Sequence, residues 1–496
     1  MMKSRPTGVI GPATVIAILG AIVMGALAFE FIWPPRSAFM GTRLYDLYAA
    51  ALLEGRFDLP LRELHLEGHH TPDGTGYLYH GLGPILTRLP FAAFVDLPAG
   101  WIAPLSIWLW SIAGNVGYHA AFLVALAGPG NAPVRGSIRT ALSALIWFGA
   151  PGIVLCANGA FFYEPVAMAY ALGGGFVLVL AKVVFGRISV QRALVPMAVL
   201  AGLALHARPH LAVGLYLTTS ALAAWSAWRG GRKACLGAGL ALAIMGAFGA
   251  SLILSNAARF GTPITMHGSF AKSEVQYGWF FWDAESQTSE RALGFEKYGQ
   301  FNARRIPANT LMYVAAPPPL GPARVWRERL EDIYRTLGPA VRYTRIEEPN
   351  VGTAFLWPVW MLLMVVGFAS RWARTVPVAS GIAGAATGGL MMLSYATITF
   401  RYHVDLWPLI ALPAVFGAGP ATTWLMDATK RRACARSATA LLGIAGIAVT
   451  LLTIGHSRTM LQERPGMWTR DFCLQLTARK GFDQHRRDEL CAEGSD

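Results

Sequence analysis

The chain has 496 residues, of which 54% are hydrophobic and only 14% are charged. Soluble domains carry about 25% charged residues, so this composition excludes a soluble globular protein, a disordered chain and a small disulfide-linked scaffold. The net charge of +14 is typical of a membrane protein whose Lys and Arg residues collect in cytoplasmic loops. The sequence therefore predicts an integral membrane protein in contact with a lipid bilayer, and we expect no nucleic-acid partner.

Eleven apolar stretches approach the roughly 20 residues that a helix needs to cross about 30 Å of hydrocarbon. They are 9–32, 103–127, 138–156, 164–184, 193–207, 210–228, 235–256, 352–369, 377–396, 404–425 and 437–455. The fifth is short and contains proline, which leaves a broken helix open as an alternative. The sequence thus predicts an all-α membrane protein with about 11 transmembrane helices.

Basic residues indicate how these helices are threaded. They precede the first stretch and follow the second, fourth, sixth, eighth and tenth, so they share one side when the N-terminus is cytoplasmic. Two long polar segments, about 34–102 and 257–351, then lie outside together with a short tail, 457–496. We expect residues 1–456 to form one multi-pass domain of the plasma (inner) membrane, with its active site facing the periplasm or exterior.

The first outer segment carries an aspartate close to the membrane. Leu44–Leu53 suits a short helix in the interface plane, and Gly55 is expected to end it. Asp46 lies in the first turn, where partial desolvation at a cavity mouth would suit its carboxylate to general-base chemistry. The alternative is a solvated aspartate that stabilises the N-terminus of this helix.

The same segment contains four histidines, His65, His69, His70 and His80. They lack the i, i+4 spacing of a helical zinc motif, and Gly68 interrupts them. Surface histidines are therefore favoured over a metal site, which stays open as an alternative, and we expect no cofactor.

Charged residues also interrupt the apolar helices on the outer side. Glu164 stands alone in a short turn, where an ionisable group costs about 2–3 kcal/mol unless it is paired or faces water; a helix-terminal charge beside Pro165 is the alternative. Arg208 and Arg401 would be equally costly without an anion, and guanidinium groups bind phosphate bidentately. For Arg401, snorkelling or an i, i+4 pair with Asp405 are the alternatives.

Together these residues resemble the GT-C superfamily of polytopic glycosyltransferases, near the protein O-mannosyltransferase, aminoarabinose transferase and lipopolysaccharide-core transferase relatives. The matching positions follow the family's order over residues 1–425. They are Tyr45-Asp46-Leu47-Tyr48, Ala51 through Phe57, Asp73-Gly74, Tyr79 through Pro84, Tyr163-Glu164, Ala207-Arg208-Pro209, and Arg401-Tyr402 with Asp405 and Pro408. One departure is that Leu47 follows Asp46, whereas many relatives carry paired acids there.

The resemblance implies an inverting transfer of a sugar from a polyprenyl-phosphate donor to a lipid, glycan or protein acceptor. Asp46 would be the general base, and Glu164 a second catalytic acid that orients the acceptor or the base. Substrate and phosphate binding would fall to Arg208, Arg401, His206, His403, Tyr79 and His80.

Other functions fit the same composition. The main alternative is a transporter or flippase of a lipid-linked or small polar substrate, although the sequence lacks the internal repeat that transporters often show. A membrane acyltransferase using His80 or His206 and a non-enzymatic assembly factor are further alternatives.

Five cysteines are too few for a disulfide scaffold. Cys473 and Cys491 lie in the polar tail, and they would pair if that tail faces an oxidising compartment. The other three are expected to be inert packing residues or cytosolic thiols; they are Cys156, Cys235 and Cys434.

Overall fold

The computed structural model describes residues 11–32, 43–60, 64, 68–71, 75–97, 99–129, 131, 133–265, 276–277, 290–319, 321–426, 430–462, 474, 478 and 483–490. Within these residues, eight helices are long and apolar enough to cross a membrane. They are Ile102–Leu126, Gly136–Leu155, Phe161–Val184, Pro209–Arg229, Arg232–Phe260, Val376–Leu393, Phe400–Met426 and Arg432–Thr459. The chain is therefore a multi-pass, mainly α-helical membrane protein.

The helices and strands are numbered in chain order. The helices are α1 (Pro12–Ala28), α2 (Leu44–Leu53), α3 (Ile102–Leu126), α4 (Gly136–Phe148), α5 (Pro151–Leu155), α6 (Glu164–Val184), α7 (Val190–Leu205), α8 (Pro209–Arg229), α9 (Arg232–Phe260), α10 (Glu290–Tyr298), α11 (Ile306–Ala315), α12 (Ala323–Thr336), α13 (Pro339–Arg342), α14 (Thr353–Leu356), α15 (Pro358–Ala369), α16 (Val376–Leu393), α17 (Phe400–Met426), α18 (Lys430–Gln462) and α19 (Gln484–Leu490). Short 3-10 helices lie at Gly83–Thr87, Phe161–Tyr163, Ala303–Arg305 and Arg371–Arg374. In one sheet β1 (Gly68–His70) pairs antiparallel with both β2 (Gly76–Leu78) and β3 (Gln276–Tyr277); in the other, β4 (Arg345–Ile346) runs parallel to β5 (Thr397–Ile398).

Each of the eleven predicted stretches contains a helix, but α1, α7 and α15 have only 17, 16 and 12 residues. Length and composition identify eight spans, so the count of eleven stays a prediction. Helix α7 continues through Pro196 without a break. The predicted bounds of α2 are confirmed: it covers Leu44–Leu53, and Gly55 follows at φ 75°, a conformation that favours glycine.

Glycines bring the membrane helices close together. Helices α3 and α6 make the most extensive contact in the bundle, where a Cβ on Gly117 would lie 2.7 Å from the carbonyl carbon of Gly174. Gly214 of α8 and Gly384 of α16 face each other so closely that a Cβ on either would collide with the carbonyl oxygen of the other. Since lipid tails are as apolar as the helices, such close packing holds a bundle together in a bilayer.

The two ends of the bundle carry different loops. At one end Phe185 packs on Trp372 with ring centroids 4.9 Å apart, which brings the basic turns after α6 and α15 together. At the other end an apolar cluster that includes Tyr45 and Leu78 packs the first outer segment on Phe161. A further cluster packs the second outer segment on the ends of α16 and α17. Both outer segments therefore cover the end opposite the basic turns; the compartment that this end faces stays a prediction.

Candidate functional site

One buried arginine joins two distant parts of the chain. Nε of Arg88 donates to Oδ1 of Asp46 at 2.8 Å, and its terminal nitrogens donate to both oxygens of Glu164, one of them at 3.0 Å. All three side chains are fully buried. Burial alone would lower the pKa of Arg88, but the two carboxylates outweigh it and raise the pKa, so the guanidinium stays charged. We call these three residues the sealed cluster.

The second oxygen of Asp46 is also engaged. Oδ2 accepts hydrogen bonds from the backbone N–H groups of Ala99, at 3.2 Å, and Gly100, at 2.9 Å. The solvated aspartate that the sequence offered as an alternative is therefore wrong, because Arg88 and these amides enclose the carboxylate. Its predicted role as general base stays a prediction, and the same holds for the predicted role of Glu164.

Two glycines bring the first outer segment against the turn between α7 and α8. The backbone N–H of Gly83 donates to the carbonyl of His206 at 2.7 Å, and a Cβ on Gly81 would collide with that same carbonyl. The hydroxyl of Tyr45 donates to the carbonyl of Gly81 at 3.0 Å. Burial, reinforced by the negative charge of Glu164, raises the pKa of Tyr45 well above its ordinary value, so this donor keeps its proton.

A second group of charges lies where α8 and α17 begin. Both oxygens of Asp405 accept from Arg208, one of them at 3.2 Å, and Oδ1 lies 3.2 Å from Nε2 of His210. The side chain of Asp405 is 2% exposed, and those of Arg208 and His210 are 12% and 15% exposed. The alternative in which Asp405 pairs with Arg401 is wrong, because Arg208 reaches it from the neighbouring helix.

Arg401 extends this group toward the sealed cluster. Its Nη1 lies 3.4 Å from Oε2 of Glu347, and the two side chains are 18% and 24% exposed. The guanidinium of Arg401 lies 4.3 Å from the ring centroid of Phe162, two residues before Glu164. The ring of Tyr402 contacts the guanidinium groups of both Arg401 and Arg208, with centroids 4.9 and 5.1 Å away. The open cluster, as we name it, consists of Arg208, His210, Glu347, Arg401 and Asp405.

Asp405 also lines a narrow crevice of about 20 Å³, room for about one water molecule, between α6, α8, α16 and α17. Apart from Asp405 and Thr218, its lining is apolar or glycine. The glycines are Gly173, Gly214, Gly381, Gly384, Gly388 and Gly389. The open cluster therefore forms the polar end of an otherwise apolar space within the membrane bundle.

The remaining predicted binding residues lie apart from the open cluster. Nε2 of His206 is 2.8 Å from the hydroxyl of Ser251. His403 is buried, and its ring packs against Tyr313 with centroids 4.7 Å apart. The rings of Tyr79 and His80, within the first outer segment, lie tilted against each other with centroids 4.0 Å apart. The predicted phosphate-binding role of these four residues stays a prediction.

The histidines of the first outer segment are only partly described. His69 is buried against Tyr79, with ring centroids 4.6 Å apart, so the prediction of a surface histidine is wrong there. The side chains of His65 and His70 lie outside the described residues, as do Asp73-Gly74 and the cysteines Cys473 and Cys491. Among the side chains that are described, no three of His, Cys, Asp or Glu are grouped as metal ligands. Cys156 is buried, while Cys235 and Cys434 are exposed.

Three residues of these clusters were missed by the sequence analysis: Arg88, His210 and Glu347. Arg88 lies within the apolar run Ile85–Phe91, which is the same signal that drew attention to Arg208 and Arg401. Glu347 lies among several charges of the second outer segment, where no local pattern distinguishes it.

Neither a profile of a known protein family nor a curated protein sequence matches this chain. Among solved structures, it is similar to the oligosaccharyltransferase from Archaeoglobus fulgidus in its apo form, with 10% identity and a TM-score of 0.48 over 97% of this chain and 60% of that chain. The same archaeal protein in complex with an inhibitory peptide and a dolichol-phosphate gives 11% identity and a TM-score of 0.48 over 97% and 59%. This chain thus spans about 60% of their length, and what it does has to be inferred from its own residues.

Proposed function

We propose that this chain is an inverting membrane glycosyltransferase, which moves a sugar from a polyprenyl-phosphate donor to a hydroxyl of a cell-envelope acceptor. The observation that supports this function is the open cluster at the polar end of the glycine-lined crevice. A lipid-linked donor needs cations for its phosphate and an apolar space for its first isoprene units. The open cluster offers the cations, and widening of the apolar crevice beside Asp405 would admit the isoprene chain.

Arg208 and Arg401 would bind the donor phosphate. Both are partly exposed, and each is balanced by a carboxylate while no donor is bound. When the bond between the sugar and the phosphate breaks, negative charge grows on the phosphate, so fixed guanidinium groups stabilise the transition state more than the ground state. The leaving group is a phosphate monoester, a weak base, and needs no strong general acid.

The geometry favours a residue other than Asp46 as the general base. A base has to reach the acceptor hydroxyl within about 2.6–3.2 Å, and Asp46 is fully buried with both oxygens engaged. Both oxygens of Glu347 are paired too, Oε1 with Arg345 at 3.2 Å and Oε2 with Arg401 at 3.4 Å, but its side chain is 24% exposed and thus within reach of an acceptor. We therefore assign proton removal to Glu347, and to Asp46 and Glu164 the task of holding Arg88.

The proposed site faces the periplasm or the exterior. The open cluster lies at the end of the bundle opposite the basic turns, and short basic loops stay on the cytoplasmic side. Lipid-linked donor and acceptor would then meet beneath the second outer segment, which supplies Glu347. The acceptor is a lipid, a glycan or a protein.

The test uses purified protein in lipid nanodiscs and a panel of radiolabelled polyprenyl-phosphate sugars, with release of polyprenyl phosphate as the readout. We expect Arg401→Gln to lower kcat about 100-fold, the effect of losing one preorganised donor. Glu347→Gln should lower kcat more than Asp46→Asn does. Arg56→Gln is the matched control, because Arg56 forms only exposed pairs with Glu54 and Asp58.

Two outcomes would contradict the proposal. Equal rates for wild type and Arg401→Gln would remove the open cluster from the reaction. If wild type bound or turned over no donor across the panel but moved a labelled lipid across vesicle membranes, the transporter alternative would replace the transferase.

A further inference from the structure

The segment Leu89–Leu97, here called the apolar loop, exposes large hydrophobic side chains. Phe94 is 86% exposed and Leu89 is 51% exposed, and Asp96 is the only charged residue in the segment. Burial of a side chain such as Phe is worth about 1.5–3 kcal/mol, so this exposure in water would be unfavourable. Exposed apolar surface of this kind marks a site of interaction.

The apolar loop is continuous with surface that faces lipid. The ring of Phe91 packs on Trp101 with centroids 5.2 Å apart. Trp101 is 42% exposed and directly precedes α3, one of the membrane spans. Tryptophan is enriched where a span meets the membrane interface. The partner that this continuity indicates is the outer leaflet of the bilayer.

The backbone of the apolar loop suits an apolar environment, in which polar groups have to be satisfied internally. The N–H groups of Phe91 and Ala92 donate to the carbonyl of Arg88 at 2.9 and 3.0 Å, and those of Phe94 and Val95 donate to the carbonyl of Phe91 at 2.8 and 2.9 Å. The loop therefore forms helical turns, and few of its backbone N–H groups depend on water for a hydrogen bond.

Both ends of the apolar loop are held by one carboxylate. Asp46 accepts from the side chain of Arg88, just before the loop, and from the N–H groups of Ala99 and Gly100, just after it. Arg88 in turn is bound to Glu164 of α6. The ends of the loop are thus fixed to the bundle by buried bonds, while its apolar surface points away from it.

We propose that the apolar loop inserts into the outer leaflet beside α3, and that Asp46 is the positioning residue that fixes both ends of the loop. This inference does not depend on the proposed transferase activity. Loop insertion anchors the first outer segment in the lipid. The bonds of Arg88 to Asp46 and Glu164 then fix that segment relative to α6.

The test places a photo-crosslinking benzophenone residue at position 94, in full-length protein reconstituted into phosphatidylethanolamine and phosphatidylglycerol vesicles. The control position is Glu328, a charged residue whose side chain is 61% exposed on α12. After irradiation, mass spectrometry should find at least ten times more lipid adduct at position 94 than at position 328. Equal yields at the two positions would overturn the insertion. Crosslinks from position 94 to a second copy of the chain would do so as well.

The role of Asp46 is tested in the same vesicles. Asp46→Asn should lower the yield of lipid adduct at position 94 several-fold, because an amide cannot accept from Arg88 and from both N–H groups as a carboxylate does. Glu54→Gln serves as the control, since Glu54 is exposed and bonds only to Arg56. An unchanged adduct yield in folded Asp46→Asn protein would remove Asp46 from this role.

Discussion

The sealed and open clusters are built from the same residue types and differ in access. In the sealed cluster one guanidinium serves two carboxylates, and all three side chains are 0% exposed. In the open cluster the arginines are 12% and 18% exposed and Glu347 is 24% exposed. Because the sealed cluster is buried, its charges can only bind one another and so join chain segments. The partly exposed side chains of the open cluster are accessible to a ligand.

The charge balance of the two clusters also differs. In the sealed cluster two carboxylates share one guanidinium, whereas in the open cluster Asp405 is paired with Arg208, and Glu347 with Arg401 and the neighbouring Arg345. In an interior of low dielectric constant such a difference acts strongly on an incoming anion. Under the proposed function, an incoming phosphate would therefore bind at the open cluster rather than at the sealed one.

The largest effect is expected from breaking the sealed cluster. Arg88→Ala leaves two carboxylates buried without their cation, and loss of one partner of a buried ion pair destabilises a fold by about 3–5 kcal/mol. We expect a large drop in the midpoint of denaturant unfolding, or little folded protein in size-exclusion chromatography. Arg56→Ala is the control and should change nothing measurable, because its pairs are exposed. A wild-type midpoint for Arg88→Ala would show that the sealed cluster does not join the segments.

Local features of this molecule were predictable, and long-range pairings were not. The bounds of α2 followed from the apolar pattern of Leu44–Leu53 and from Gly55, which lie next to each other in sequence. The partners of Arg88 lie 42 and 76 residues away, and Glu347 is 54 residues from Arg401. No single-sequence pattern records such pairs, because the three-dimensional packing of the helices creates them.

A signal for Arg88 was nevertheless present. An isolated arginine in an apolar run is costly unless it has an anion, and Arg88 within Ile85–Phe91 meets this criterion as Arg208 and Arg401 do. The crevice had no such signal. Its glycines come from α6, α8 and α16, and only the assembled bundle shows that they face a common space.

A smaller effect should come from filling the crevice of the open cluster. Ala385 lines it, so Ala385→Leu would occupy space proposed for the isoprene chain. We expect about a tenfold weaker binding of polyprenyl phosphate, equivalent to about 1.4 kcal/mol, measured by titration of nanodisc-embedded protein. Ala379→Leu, at an exposed position of the same helix, should bind as wild type does. Unchanged binding by Ala385→Leu would place the lipid chain elsewhere.

The smallest expected effect is on the pH dependence of stability. It comes from a partly exposed arginine–carboxylate pair on the second outer segment. Arg327 is bonded to Glu348, whose side chain is 32% exposed. Burial raises the pKa of Glu348 above its ordinary 4.5, although Arg327 offsets part of this rise. The folded chain then keeps a proton that the unfolded chain has already lost, so this group lowers stability as the pH rises above about 4.5.

Glu348→Gln should therefore flatten the dependence of the unfolding midpoint on pH between roughly pH 4 and 7, compared with wild type. The control is Glu328→Gln, because Glu328 is 61% exposed and its i, i+4 pair with Arg324 is screened by water. If wild type instead gained stability relative to Glu348→Gln as the pH rose, attraction to Arg327 would outweigh burial.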